Sequence, residues 1–142
     1  MDQAAIDNTD LLILRQLIGN SALTHKEIGQ EVHLTGQAVG ARIRRLQDLG
    51  VITGYSVNWD PEKLGLHVHA LVTVFLNSGN QHKPFLEFLQ EETEIEEAYR
   101  VSGEGCYWMR VRTDHPDKLN TLLDRLLKHG NYKISLSIGR VK

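Results

Sequence analysis

At Gly50-Val51 the spacing of apolar residues changes from a period near 3.6 to a period of 2, so the chain must fold as a helical segment followed by a strand-bearing one. Ahead of the switch the sequence predicts three helices separated by short polar breaks. Asp7 is placed to cap the first, with Asp10 in its opening turn and Leu11, Leu14, Leu17 and Ile18 recurring at helical spacing before Gly19-Asn20-Ser21 ends it. The second opens on Thr24-His25-Lys26-Glu27, a capping box in which Thr24 and Glu27 satisfy each other's free backbone donors, and turns Ile28 and Val32 inward. After His33-Leu34, Thr35 caps a third helix running to about Leu49, and Gly50 supplies a left-handed stop.

Beyond the switch, Tyr55, Val57 and Trp59 fall on one face of a predicted strand, with Ser56 and Asn58 on the other, until Asp60-Pro61-Glu62-Lys63-Leu64-Gly65 breaks it. The remainder reads as two similar halves. A strand at about 67–76, with Val68, Ala70, Val72 and Val74 alternating, leads to a helix begun by Pro84 and carrying Phe85, Phe88 and Leu89, then to a strand at about 95–101. A strand from Cys106 to Thr113 leads to a helix begun by Pro116, with Leu119, Leu122, Leu123, Leu126 and Leu127 as its stripe, and His129-Gly130-Asn131 turns into a last strand from Tyr132 to Ile138. Proline suits the first helical position, where its missing N–H would be unpaired anyway. The order βαββαβ implies a ferredoxin-like domain over 66–142, in an α+β chain whose three helices form a helix-turn-helix over 1–50 joined by a β hinge and linker over 51–65. His67, His69, Leu71, Thr73 and Phe75 alternate with the Val68 series, so the sheet face away from the helices also carries apolar groups and calls for a cover, most simply a partner subunit.

With 41% hydrophobic and 24% charged residues in 142, the balance is that of a soluble globular protein. No apolar run approaches a membrane span, and Met1-Asp2-Gln3-Ala4-Ala5-Ile6-Asp7 has neither the basic nor the apolar region of a secretory signal, so a cytoplasmic location is expected. The single cysteine, Cys106, forms no internal disulfide and excludes a cysteine-only zinc module. A net charge of −2 does not by itself exclude a nucleic-acid partner, because phosphate attraction depends on charge within a Debye length of about 8 Å.

Local charge is uneven. Between Thr35 and Gln47 stand Arg42, Arg44 and Arg45 and no acidic residue. On a helical wheel Val39, Ile43 and Leu46 form a narrow inward stripe, while Gln37, Gly40, Ala41 and Arg44 lie opposite, with Arg45 at their edge. A major groove admits one such helix, in which Arg bonds guanine edges and Gln bonds adenine. The expected DNA-facing set is Thr35, Gln37, Ala38, Ala41, Arg44 and Arg45, with Ser21, Thr24 and Lys26 as phosphate contacts. Arg42 belongs to this set or, lying between Leu46 and Leu49 on the wheel, pairs with an acid of the first helix. The competing reading is a solvated basic face that docks a protein partner, in a metabolite-binding module that does not act on DNA; steep salt dependence marks the DNA reading.

These residues resemble the Lrp/AsnC family of transcription regulators, the feast/famine proteins. The similarity runs from Asp7-Asn8-Thr9-Asp10-Leu11-Leu12-Ile13-Leu14 through Leu34-Thr35 and Ala41-Arg42-Ile43-Arg44-Arg45-Leu46 to Gly50-Val51-Ile52-Thr53-Gly54-Tyr55. Ser102-Gly103-Glu104-Gly105-Cys106-Tyr107, after Val101, looks like the family's effector-loop segment. The resemblance implies that the N-terminal DNA reader is a winged helix-turn-helix, hinged to a βαββαβ sensing domain that dimerises through its sheet, with dimers that assemble further, commonly to octamers, and an amino acid or related metabolite as effector. Where the family often has an acidic residue before the tyrosine, this chain has Cys106, with Glu104 nearby. Backbone N–H groups around Gly103 and Gly105 can form a nest for a carboxylate, or the segment is simply a tight glycine turn. No cofactor, metal or enzymatic role is expected. His67 and His69 lack a zinc-like companion and are read as interface residues whose protonation near pH 6 loosens the assembly, and Cys106 lacks an oxyanion loop and reads as a small strand residue.

Overall fold

A computed structural model describes residues 6–142. Residues 1–5, which carry most of the segment read above as lacking a secretory signal, lie outside the described residues. The chain divides into two compact units at Asn58/Trp59.

The first unit contains α1 (Asn8–Gly19), α2 (His25–Val32) and α3 (Gly36–Asp48). Each begins where a side chain takes up an otherwise orphaned N–H. Asp7 and Asp10 form one reciprocal capping box, Thr24 and Glu27 another, and Thr35 accepts from the Ala38 N–H at 3.1 Å. His33 closes α2 in the left-handed region at φ 58°, and Gly50 follows α3 at φ 72°. Ile13, Leu17, Ile28, Val39 and Ile43 make the core.

Two faces differ from expectation. The inward face of α1 is Asp10, Ile13 and Leu17, three positions related by 3 and 4, whereas Leu11 and Ile18 are exposed. The helix is rotated to bury Asp10 because an arginine of α3 neutralises it. Gly40, expected on the outward side of α3, is buried under His25. Glycine also permits the close crossing of α2 and α3 elsewhere: a Cβ at Gly29 would stand 2.3 Å from the Leu34 carbonyl oxygen.

Among the described residues the predicted strand through Tyr55, Val57 and Trp59 forms no ladder, and these three side chains are exposed. Alternation supplied the side-chain pattern, but a strand also needs a neighbour for its N–H and C=O groups, and among the described residues none pairs with it.

The second unit contains β1 (Val68–Leu76), α4 (His82–Glu91), β2 (Ile95–Arg100), β3 (Tyr107–Thr113), α5 (Pro116–Leu126) and β4 (Gly130–Leu136). All pairings are antiparallel in the order β2-β3-β1-β4, the ferredoxin-like arrangement expected. Pro116 opens α5, capped by the His115 ring accepting from the Asp117 N–H at 3.1 Å. Pro84 does not open α4, which starts two residues earlier at His82. A proline is accommodated throughout the first turn, where no N–H has an intrahelical acceptor, so it marks that turn and not its first residue. β4 begins two residues before expectation, at Gly130, where a Cβ would meet the Phe75 carbonyl oxygen at 2.0 Å.

Ala70, Val72 and Val74 face the helices with Tyr107, Met109 and Val111 of β3, against Phe85 and Phe88 of α4 and Leu119, Leu122, Leu123 and Leu126 of α5. Register places His69 opposite Arg112, Leu71 opposite Arg110 and Thr73 opposite Trp108 on the other face, which no element of this unit covers. No helix among the described residues is long and apolar enough to cross a membrane.

Candidate nucleic-acid interface and effector loop

The outward surface of α3 is built beside an ion cluster centred on one buried carboxylate. Asp10 is 1% exposed, and Arg42 donates to it at 2.9 Å and to Asp7 at 2.7 Å. The Asp7 carboxyl is held below its ordinary value, first by that Arg42 hydrogen bond and next by the Asp10 backbone N–H. Arg45 stands 3.5 Å from Asp10 on the same helix face. The three arginines of α3 are therefore not equivalent. Arg42 bolts α3 to α1, Arg45 is shared between Asp10 and solvent, and Arg44 is exposed with no ion pair among the described residues.

Around Arg44 the helix presents Gln37 and Ala41, both exposed, and half-buried Ala38. Thr35 is exposed, with its hydroxyl engaged as the cap of α3. Ser21, Thr24 and Lys26 are exposed at the turn before α2 and in its first turn, although the Thr24 hydroxyl already accepts from the Glu27 N–H at 3.1 Å. Sequence reasoning missed two members of this surface. Asp10 was placed only in the opening turn of the first helix, and nothing in its residue type marks it as buried. His25 was passed over between Thr24 and Lys26, and the glycine at position 40, against which it rests, was the available signal.

The second candidate site is the segment between β2 and β3. Gly103 and Gly105 have φ of 125° and 78°, conformations that disfavour a side chain. Gly105 lies directly on β1: a Cβ would stand 2.6 Å from the Thr73 methyl and 2.9 Å from the Val74 carbonyl oxygen. The Cys106 N–H donates to that same carbonyl at 2.7 Å, so the loop is anchored to the sheet at this end. Ser102, Gly103 and Glu104 are exposed, and Glu104 is ion-paired with Lys133 of β4. Tyr107 does not face the loop's outer side. It is 3% exposed in the core, with its ring 4.7 Å from that of Phe85 and its hydroxyl 3.0 Å from His82 Nδ1.

The uncovered sheet face is polar and aromatic together. Arg110 pairs with Glu97 at 3.0 Å and lies 5.9 Å over the Trp108 ring, Arg112 pairs with Glu96 at 2.8 Å, and the Tyr99 and Trp108 rings stand 5.8 Å apart. His69 Nε2 and Arg110 Nε are buried there without a hydrogen-bond partner. Among the described residues no group of three or more His, Cys, Asp or Glu side chains is placed to hold a metal ion. His67, one residue before β1, is exposed, with its Nδ1 3.2 Å from Glu62.

Comparison with known proteins places both candidate sites in context. A family model described as winged helix-turn-helix DNA-binding matches residues 6–53, and one described as the Lrp/AsnC ligand binding domain matches residues 69–142. The HTH-type transcriptional regulator LrpB of Bacillus subtilis is 44% identical, with 96% of this chain and 91% of that protein covered. LrpA of the same organism is 38% identical, with 95% and 99% covered. Among solved structures, the leucine response regulatory protein LrpA of Mycobacterium tuberculosis superposes with a TM-score of 0.85 at 28% identity, over 96% of this chain and 95% of that one. The two Bacillus relatives are named as transcriptional regulators, not as enzymes.

Proposed function

We propose, from the premise that this chain belongs to the Lrp/AsnC family of DNA-binding transcription regulators, that α3 reads a specific operator and that an amino acid or related metabolite tunes the binding. The observation that carries the first half is the division of labour on α3. One arginine is spent on the scaffold and another, Arg44, stands unpaired beside Gln37 and small Ala41 on an acid-free ridge. Gln37 and Arg44 are the base readers, Ala38 and Ala41 the close-approach positions, and Arg45 a shared contact. Thr35, Ser21, Thr24 and Lys26 take phosphates. Arg42 acts by holding α3 on α1.

Arg44→Ala lowers operator affinity by about 1–3 kcal/mol and relaxes preference at one base if Arg44 reads a guanine edge, whereas a phosphate contact loses affinity on every sequence alike. The operator is obtained by retaining random duplex DNA on the purified protein at two salt concentrations and sequencing what binds. A partly palindromic motif with half-sites about 34–36 Å apart and a steep salt slope supports the reading. Retention of no duplex at low salt sinks it in favour of a protein partner.

For the effector, support comes from the ligand-binding family model over residues 69–142 and from the loop's glycine backbone, whose N–H groups around Gly103 and Gly105 form a nest for a carboxylate. Ser102 and Glu104 flank it, and Cys106 and Tyr107 anchor it to β1 and the core. Because Glu104 is already paired with Lys133, it receives an amino group only by releasing that lysine.

Homodimerisation through the open sheet face, with further assembly to an octamer or another even oligomer and residues 51–65 as the hinge, completes the proposal. Leu71 lies at the centre of that face, opposite Arg110 on β3 and Ser135 on β4. Leu71→Arg sets a further cation beside Arg110 and Arg112 and is expected to yield monomer by sedimentation at concentrations where the wild type is a dimer. Unchanged sedimentation would move the interface elsewhere. His69, on the same face, is held below its ordinary value of 6.5 by burial first and then by Arg112 and Arg110, with Glu96 opposing. The unfolded chain therefore binds the proton more readily. Stability is at its full value above pH 6.5 and falls as the pH drops toward the lower folded value, and His69→Gln flattens the thermal stability profile across that window.

A further inference from the structure

Gly40 stands on the outward side of α3 yet is buried, because the imidazole of His25 rests on it. A methyl group at Gly40 would lie 2.8 Å from His25 Nδ1 and 3.1 Å from its Cε1. One turn earlier a Cβ at Gly36 would meet the Lys26 backbone N at 3.3 Å and the His25 carbonyl carbon at 3.5 Å. Residues 36, 40 and 44 form one ridge of the helix, spaced by four. The first two positions are thus roofed by the start of α2, and the third is the exposed Arg44.

His25 is itself exposed, and no side-chain hydrogen bond among the described residues engages its ring. Nδ1, Cε1 and Cγ are the ring atoms nearest that position, and Nε2 is not among them. A glycine at this point weakens the helix relative to alanine. What it permits is an imidazole laid on α3 at position 40, whose neighbours on the helix surface three residues before and four after are Gln37 and Arg44. A ring held by contact with α3 travels with α3, not with the far end of α2, and so enters whatever groove α3 enters.

Resting on the reading that α3 enters the major groove, we propose that His25 is a specificity-determining DNA contact whose Nε2 bonds a base edge, and that Gly40 is the positioning residue that seats it. The reading surface is then composite, with His25 of α2 joining Gln37 and Arg44 of α3.

The test uses the full-length protein and the operator recovered from random duplex DNA. Four variants are re-selected on the same pool: His25→Ala, His25→Phe, Gly40→Ala and Arg44→Ala. His25→Ala is expected to relax preference at one base position in each half-site and to lower operator affinity about tenfold, with binding to unrelated duplex unchanged. His25→Phe keeps a ring on Gly40 without its nitrogens and relaxes the same position, which separates lost hydrogen bonding from lost packing. Gly40→Ala displaces the imidazole and relaxes that position too, and the double variant His25→Ala/Gly40→Ala is no worse than either alone. If the His25 variants return the wild-type motif while Arg44→Ala relaxes it, the inference is wrong and the ring only packs. Loss by His25→Ala on every duplex alike makes it a phosphate contact and overturns base reading. A motif unchanged in Arg44→Ala as well is a different failure, that of α3 as the groove helix.

Discussion

Phe85→Ala lowers the stability of the second unit by about 3–4 kcal/mol. The ring is fully buried between α4 and the sheet, 4.7 Å from Tyr107 and 5.9 Å from Phe88. Its removal costs both the transfer of the ring from water and the cavity left behind, since Ala70, Val72 and Val74 are held in register by two neighbouring strands and do not collapse inward. The loss stays at the lower end of the range for such truncations because His129 Nδ1 is buried nearby without a partner, and water entering the space would satisfy it. Urea denaturation followed by tryptophan fluorescence measures the effect directly, because both tryptophans, Trp59 and Trp108, belong to this unit. A loss below about 1 kcal/mol would mean that the ring is not a core residue.

Arg42→Ala is expected to destabilise the first unit by about 3 kcal/mol. It strips the main partner from a carboxylate that is 1% exposed and leaves Arg45, 3.5 Å away, as the remaining cation. The pairing with Asp7 adds little, because that carboxylate is 53% exposed and solvent screens it. Thermal unfolding read by helical circular dichroism should fall by on the order of 15 °C, and Arg42→Lys, which keeps the charge but loses the fork, should fall between. The variant also changes the acid limb. Since the folded-state Asp7 value lies below its ordinary 3.8, its contribution is present above about pH 4 and is lost as pH falls through the lower folded value. Without Arg42 that limb flattens. An unshifted melting profile would show that α1 and α3 are held together by their apolar contacts alone. DNA binding by Arg42→Ala should weaken on all sequences together, in contrast with the base-selective loss expected for Arg44→Ala.

These two residues also illustrate what a sequence discloses. Phe85 was legible as core because it shares a helical face with Phe88, and apolar periodicity reports burial directly. Arg42 was legible only as a choice between groove and ion pair, and settling it required knowing where Asp10 points. A buried acid leaves no periodic signature of its own, so α1 was read with Leu11 and Ile18 inward when Ile13 and Asp10 are. Gly40 was read as open surface because the wheel shows one helix at a time, and His25 comes from another. In the same way Tyr107 was assigned to the effector loop by its place in a motif, while its strand parity turns it into the core beside Met109 and Val111.

By itself, the sequence determined the caps at Asp7, Thr24 and Thr35, the inward stripe of α3, the leucine face of α5 and the order βαββαβ, and with that order the sheet and its uncovered face. Each of these follows from interactions within a few residues or from a repeat that every residue reports. Tertiary structure alone decided which arginine of α3 has no ion pair among the described residues, which side of α1 is buried, that His25 lies on α3 and that residues 53–58 form no strand ladder among the described residues. Those depend on pairs such as Asp10 and Arg42, or His25 and Gly40, separated along the chain by more than any helical or strand repeat, and the free energy of bringing them together is set only when the elements pack.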